Sequence, residues 1–219
     1  MATGKTRREV GPAKSGLQVS DPKLLVIKLP RSAKLRVSPE MFWRLCGENR
    51  DLRLERTAKG TVIVMAPCGL ATGGRNSKLT MRLGNWAEAN GTGEAYDSSA
   101  GYTLPNGAVL GPDASWVSHA RLELISLEER ERFPRVCPDF VVELRSPSDR
   151  VKTLRRKMVE YLAQGVRLGW LLDPITGLAE VYRPGREAEV LNRPATLSGE
   201  DVLPGFVLDL RGILFDQAV

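Results

Sequence analysis

Two stretches of the chain set an acidic residue among strand-forming neighbours. They are Pro112-Asp113-Ala114-Ser115-Trp116-Val117 and Pro138-Asp139-Phe140-Val141-Val142-Glu143-Leu144-Arg145. Side chains alternate across a strand. Phe140, Val142 and Leu144 therefore share one face of the second stretch, and Asp139, Val141, Glu143 and Arg145 share the other. Glu143 lies in a run apolar enough to be buried on both sides. A carboxylate there is costly unless a cation or hydrogen-bond donors meet it. The residue types allow two partners. Arg145 could form a buried ion pair with Glu143, with Asp113 serving only to cap the turn after Pro112. Alternatively, Asp113 and Glu143 could hold one divalent cation between them, because Mg²⁺ favours one or two carboxylates plus water and phosphate oxygens.

A third chemical group comes from the segment that follows. Ser146-Pro147-Ser148-Asp149 leads from the strand into a helix expected from about Ser148 to Gln164, with Ser148 as its N-cap and Gly165 at its end. Leu154, Met158, Tyr161 and Leu162 make the apolar stripe of that helix. Lys157 falls about 60° from Leu154, at the border of the stripe. It could bend toward the sheet, while Lys152, Arg155 and Arg156 point further round toward water. The competing reading is a lysine whose stem merely covers apolar surface.

These residues need a scaffold, and the hydrophobic pattern supplies one. Ser38 with Pro39 and Glu40 predicts a helix to about Glu48. Leu52–Arg56 and Thr61–Met65 read as strands joined at Lys59-Gly60, and a helix should cover Arg75 to Ala89. Strands are expected at Ala95–Ser98, Gly101–Leu104, Ala108–Leu110, Asp113–Val117 and Asp139–Arg145. Others are expected at Leu168–Leu172 and Glu180–Tyr182, with weaker ones at Glu189–Leu191 and Phe206–Leu208. A helical or loop excursion fills Arg121–Arg132. Lys23–Leu29 could be a short strand.

Composition narrows the function classes. With 219 residues and ordinary hydrophobic content, the chain can bury one core. No apolar run is long enough for a membrane span, and no hydrophobic stretch follows the basic start as a secretory signal would require. Three unpatterned cysteines, Cys46, Cys68 and Cys137, point to reduced thiols in a cytoplasmic protein. The single histidine, His119, leaves little for a histidine-based metal centre and reads as a surface residue. The net charge of +6 is uneven: residues 1–36 carry +7 and the remainder −1. Residues 1–22 read as a flexible basic arm, able to hold phosphates or simply solvated, ahead of a domain over 23–219.

The blocks Gly111-Pro112-Asp113-Ala114-Ser115-Trp116-Val117 and Cys137-Pro138-Asp139 through Asp149 resemble the Uma-two family of bacterial endonucleases. Lys157-Met158-Val159-Glu160-Tyr161, Gly165-Val166 and Gly169-Trp170-Leu171-Leu172-Asp173-Pro174 extend the resemblance, which spans about Gly73 to Pro184. That family lies in the PD-(D/E)XK, or restriction-endonuclease-like, superfamily. The resemblance implies an α/β fold with a central mixed sheet flanked by helices, and Mg²⁺- or Mn²⁺-dependent hydrolysis of DNA. It makes Asp113 and Glu143 metal ligands, with the carbonyl of Leu144 as a further ligand. The superfamily's lysine, two residues after the second acid, is replaced here by Arg145. An arginine can clamp phosphate but is a poor base, so Lys157 becomes the substitute that orients or deprotonates the attacking water. An acidic residue from an early helix is also missing, and Asn76 is the nearest polar residue there. Superfamily nucleases often pair, so a homodimer is a further expectation. A catalytically degenerate module that binds nucleic acid or a protein is the alternative.

Two other motifs carry less. Gly69-Leu70-Ala71-Thr72-Gly73-Gly74 faintly resembles a phosphate loop but lacks its Lys-Ser/Thr pair. Trp43, Trp86, Trp116 and Trp170 are expected in the core.

Overall fold

A computed structural model describes residues 35–215. The expected basic arm and the strand at Lys23–Leu29 lie outside the described residues. Helix α1 (Pro39–Glu48) starts where predicted, with the Met41 amide capped by the Ser38 side chain. Two short strands follow, β1 (Arg53–Arg56) and β2 (Val62–Met65), and then the long helix α2 (Leu70–Asn90). Next come β3 (Gly93–Asp97), β4 (Tyr102–Thr103), β5 (Val109–Leu110) and β6 (Ala114–Ser118). Two single-turn helices, α3 (His119–Leu122) and α4 (Leu127–Arg130), lead to β7 (Phe140–Leu144), α5 (Val151–Ala163), β8 (Leu168–Asp173) and β9 (Leu178–Tyr182). The chain finishes with β10 (Glu189–Asn192), β11 (Thr196–Ser198) and β12 (Val207–Asp209).

The central sheet has six strands in the order β10-β9-β8-β7-β6-β3. Only β7 and β8 run parallel, from Phe140↔Leu168 to Leu144↔Leu172, and α5 is the crossover that a parallel pair requires. The sheet is therefore mixed. Its faces are covered separately. Leu79, Leu83 and Ala87 of α2, together with Leu203–Leu214 from the end of the chain, pack on Trp116, Phe140, Val142, Leu144 and Trp170. On the other face Met158 and Tyr161 of α5 pack on Val141 and Leu171. A second sheet, β2-β1-β5-β4, places Tyr102 and Leu110 in this latter cluster. The fold is thus the expected helix-flanked mixed sheet, and β1 lies on the side of α5.

The local departures have physical reasons. Helix α2 begins at Leu70, five residues before the expected start, and takes Gly73 and Gly74 into its first turns. The glycine-rich stretch is therefore helix, not a loop that could cradle phosphate. Its far end falls at Asn90, one residue past the expected Ala89, with Gly91 closing the helix in the left-handed conformation at φ 67°. Ser148 does not cap α5, which starts at Val151. Asp149 instead closes a turn by accepting from the Ser146 amide at 2.8 Å and the Ser146 hydroxyl at 2.6 Å. Of the tryptophans, Trp116 and Trp170 are buried and Trp86 packs against the core, but Trp43 is 40% exposed and rests edge-on against Phe133.

Candidate active site

Strand β6 begins and β7 ends at the same edge of the central sheet, because the two are antiparallel with Ala114↔Val142 as their last pair. Asp113 precedes that pair and Glu143 follows it. The Asp113 amide donates to the Val142 carbonyl at 3.0 Å, and Asp113 Oδ2 accepts from the Leu144 amide at 2.8 Å. The two sequence-predicted carboxylates are therefore brought together by backbone register. Leu144 contributes its amide to Asp113, and it lies beyond the last β6–β7 pair.

Lys157 also joins them. Its Nζ stands 2.8 Å from Glu143 Oε1, donates to the Gly111 carbonyl at 3.1 Å, and lies over the Tyr161 ring. The helical-face reading of Lys157 thus gives its position correctly. The lysine is sealed in, with its side chain 12% exposed.

Sequence reasoning missed the third acid. Glu55 on β1 accepts from Lys157 Nζ at 2.7 Å and from the Gly111 amide at 3.0 Å, both at Oε1. It comes from a strand of the second sheet, not from the early helix where the resemblance points. Among the described residues Asn76 of that helix is not a hydrogen-bond partner of the carboxylates, and its Oδ1 is buried without any such partner. Arg53, two residues before Glu55 and on the same strand face, reaches Asp113 Oδ1 at 3.3 Å and the Gly111 carbonyl at 2.9 Å. Gly111 is the hub of these contacts. A Cβ there would lie 2.9 Å from the Ala100 carbonyl oxygen, so the close approach requires glycine.

Arg145 is not the partner of Glu143, so of the two alternatives the buried Arg145–Glu143 pair is not the one formed. It is carried past the end of β7, where its Nη1 meets Asp173 Oδ2 at 2.7 Å and its Nε donates to the Asp149 carbonyl at 3.4 Å. Two residues of strand are about 6.6 Å, enough to exchange one carboxylate for another. His119 is exposed at the far end of β6, as the surface reading expects.

The electrostatics follow from burial and count. Glu55, Asp113 and Glu143 face only two cations, Lys157 and Arg53, so the three acids cannot all be ionised and compensated at once. Burial pushes the Glu143 carboxyl up to about 8; Lys157 opposes this, and the charges of Asp113 and Glu55 add to it. Tyr161 donates to Glu143 Oε1 at 3.2 Å, and its own hydroxyl is driven well up by burial and then by the Glu143 charge. Burial opposes the charge of Lys157, but Glu143 and Glu55 outweigh that, and its net shift is upward. Lys157 is therefore a firmly protonated donor here, not a base.

Three carboxyl groups and a backbone carbonyl edge are hard oxygen donors, the kind Mg²⁺ or Mn²⁺ takes, and a divalent ion would favour the ionised form of Glu143. The fit is in donor type and charge. As placed, no three His, Cys, Asp or Glu side chains among the described residues are gathered tightly enough to close around an ion. The ammonium of Lys157 already stands between Glu55 and Glu143, so loading the site requires it to give way.

Comparisons with known proteins agree with the fold. A crystal structure of "a putative nuclease belonging to DUF820" from Anabaena variabilis ATCC 29413 superposes with a TM-score of 0.62 at 18% identity, covering 74% of this chain and 89% of that one. At that identity the likeness speaks for the fold. A cryo-electron microscopy structure of a DrdV–DNA complex matches with a TM-score of 0.35 at 15% identity over 55% of this chain and 10% of that one, too slight to argue from. No curated protein matches. No helix among the described residues is long and apolar enough to cross a membrane. The family model described as "Uma2: Putative restriction endonuclease" matches residues 39–211, well over half of the sequence, and the chain belongs to that family.

Proposed function

We propose that the protein is a metal-dependent endonuclease that hydrolyses DNA phosphodiester bonds at the edge formed by Asp113, Glu143 and Glu55. One observation carries this reading: three acidic side chains meet only two cations, Lys157 between Glu55 and Glu143 and Arg53 on Asp113, and the unmatched Glu143 has its carboxyl raised to about 8, as a position made for a further cation would. An ion-pair network built only for stability gains nothing from a third carboxylate, whereas a site for a hard cation does. Asp113 and Glu143 would hold Mg²⁺ or Mn²⁺, with Glu55 and the Leu144 carbonyl as further ligands. The ion would polarise the scissile phosphate and make its bound water acidic enough to attack.

The protein's residues supply the remaining steps. Lys157, kept protonated by Glu55 and Glu143, donates to the attacking water or to phosphate oxygen instead of accepting a proton. Tyr161 fixes the rotamer of Glu143. The Gly111 carbonyl holds Lys157 toward the carboxylates. Arg145, engaged with Asp173, reaches a phosphate only by leaving that pair. Purified protein should convert supercoiled plasmid to nicked and linear forms with Mg²⁺ or Mn²⁺ and not with EDTA. Cleavage that survives both Asp113→Asn and Glu143→Gln would refute the mechanism.

A second reading has its own observation. Lys157 already neutralises much of the charge between Glu55 and Glu143, as a degenerate site that binds nucleic acid or a protein without cutting would do. Manganese titration separates the two: a degenerate site binds no Mn²⁺, and its DNA affinity falls with salt regardless of metal.

A further inference from the structure

Two cations serve the site, and the structure treats them differently. Lys157 is enclosed between Glu55, Glu143 and the Gly111 carbonyl. Arg53 stands at the rim. Its side chain is 36% exposed, and Asp113 beneath it is 20% exposed. Its contact with Asp113 is 3.3 Å, longer than the roughly 2.7–2.9 Å of a strong charge-assisted bond. Its other arm rests on a neutral carbonyl, that of Gly111, at 2.9 Å. A guanidinium held this lightly at the solvent side of a carboxylate edge can exchange partners. Its planar fork matches two oxygens of a phosphate better than any other side chain does. Arg145, the arginine that the sequence suggests for phosphate, is bound to Asp173 at 2.7 Å.

We infer that Arg53 is the residue that grips the scissile phosphate of the DNA backbone, releasing Asp113 as the site is loaded. The inference rests on the metal-dependent nuclease reading above. It has a consequence that a purely structural arginine would not have. In the DNA-free protein, Arg53 competes with the metal ion for Asp113. Removing Arg53 therefore makes metal binding tighter while making catalysis worse. A supporting arginine would weaken both when removed, because Asp113 would lose its placement.

The experiment titrates Mn²⁺ into DNA-free wild-type protein, Arg53→Gln and Arg53→Lys, read by electron paramagnetic resonance, with plasmid cleavage followed separately. Circular dichroism melts establish that each variant is folded. Arg53→Gln should bind Mn²⁺ about two- to fivefold more tightly, the range expected for losing one partly exposed ion pair. Its cleavage rate at saturating Mn²⁺ should fall about 10²–10³-fold, as when one preorganised donor to a reacting group is removed. Arg53→Lys should keep much of the DNA affinity but little of the rate, since a point charge does not replace the fork. Weaker Mn²⁺ binding by Arg53→Gln, or unchanged cleavage, overturns the role of Arg53 while leaving the metal site standing. Wild-type protein that binds no Mn²⁺ overturns the metal-site reading and this inference together.

Discussion

Replacing Lys157 with methionine keeps the unbranched apolar stem of the side chain and removes the ammonium, with its charge and its bonds to Glu55, Glu143 and the Gly111 carbonyl. The ammonium lies 2.7 Å from Glu55 and 2.8 Å from Glu143, with both acids more than nine-tenths buried. Its loss leaves two enclosed carboxylates, with Asp113 nearby, and no cation among them except Arg53 at the rim. Removing one partner of a buried pair costs about 3–5 kcal/mol. Each kcal/mol is worth about 2–4 °C in a domain of this size, so Tm should fall by roughly 6–20 °C. The loss should also depend on pH with a definite sign. The Glu143 carboxyl sits at about 8 in the folded protein, against 4.5 as its ordinary value. A carboxyl raised on folding is destabilising when ionised, and the penalty eases as pH falls below its folded value toward the unfolded one. Without Lys157 that folded value rises further. The gap between wild type and Lys157→Met should therefore be widest near pH 9 and shrink toward pH 6. Urea unfolding at several pH values, read by circular dichroism, measures it. Adding Glu143→Gln should recover at least about 1 kcal/mol, because the orphaned charge is then gone. A loss below about 1 kcal/mol that stays constant from pH 6 to 9 would refute the description of Lys157 as the keystone of a buried acidic cluster.

Further expectations concern the same edge. Apparent Mn²⁺ affinity should rise about tenfold per pH unit up to about pH 8 and then level off, because the ion competes with a proton for Glu143; calorimetric titration across pH 6–9 checks this, and a flat profile counts against Glu143 as a ligand. Gly111→Ala sets a Cβ 2.9 Å from the Ala100 carbonyl and should cost about 1–3 kcal/mol, and it should also weaken Mn²⁺ binding, because the Gly111 peptide orients Glu55, Arg53 and Lys157. Arg145→Gln takes the cation from Asp173, which keeps the Ile175 and Thr176 amides, and should lower stability by up to about 3 kcal/mol while leaving Mn²⁺ affinity within about twofold. A large loss of metal binding in that variant would put Arg145 back in the site.

The elements around the site were legible because each has a local signature. The strand runs at Asp113–Val117 and Asp139–Arg145 survive as β6 and β7 within a residue or two, since short apolar runs with valines and an aromatic residue, each preceded by proline, favour a strand. The position of Lys157 followed from helical periodicity, because α5 buries Met158 and Tyr161 as the stripe requires. Where local cues compete, the reading slipped. Gly73 and Gly74 signal a loop, yet α2 absorbs them because Leu79, Leu83 and Ala87 anchor the helix to the sheet and packing outweighs the roughly 1 kcal/mol that each glycine costs. Residue type alone puts Trp43 in the core, but α1 turns Phe42 inward, and the adjacent position on a helix points elsewhere.

The acidic cluster itself was only half legible, for a reason that lies in topology. Asp113 and Glu143 could be read together because their strands are neighbours, each with an acid at the end of an apolar run. Glu55 has no such mark. It stands between Leu54 and Arg56 in a strand with charges on both faces, and it resembles any solvent-facing glutamate until β1 pairs with β5 at Arg56↔Val109 and swings its face onto Gly111. The sequence does hold one signal: Arg53 and Glu55 share a single face of the strand, and opposite charges two apart on a strand can serve one site together. The same limit explains the misplaced partner of Glu143. Alternation correctly put Arg145 on the face of Glu143, but alternation says nothing of how far the strand runs. The end of β7 at Leu144 hands Arg145 to Asp173 and leaves Glu143 to a lysine from the crossover helix. A cation two residues along a strand and a cation from the next helix look equally eligible in sequence. The parallel pairing of β7 with β8 decides between them, because it obliges α5 to cross back over the carboxylate that the sheet has just presented.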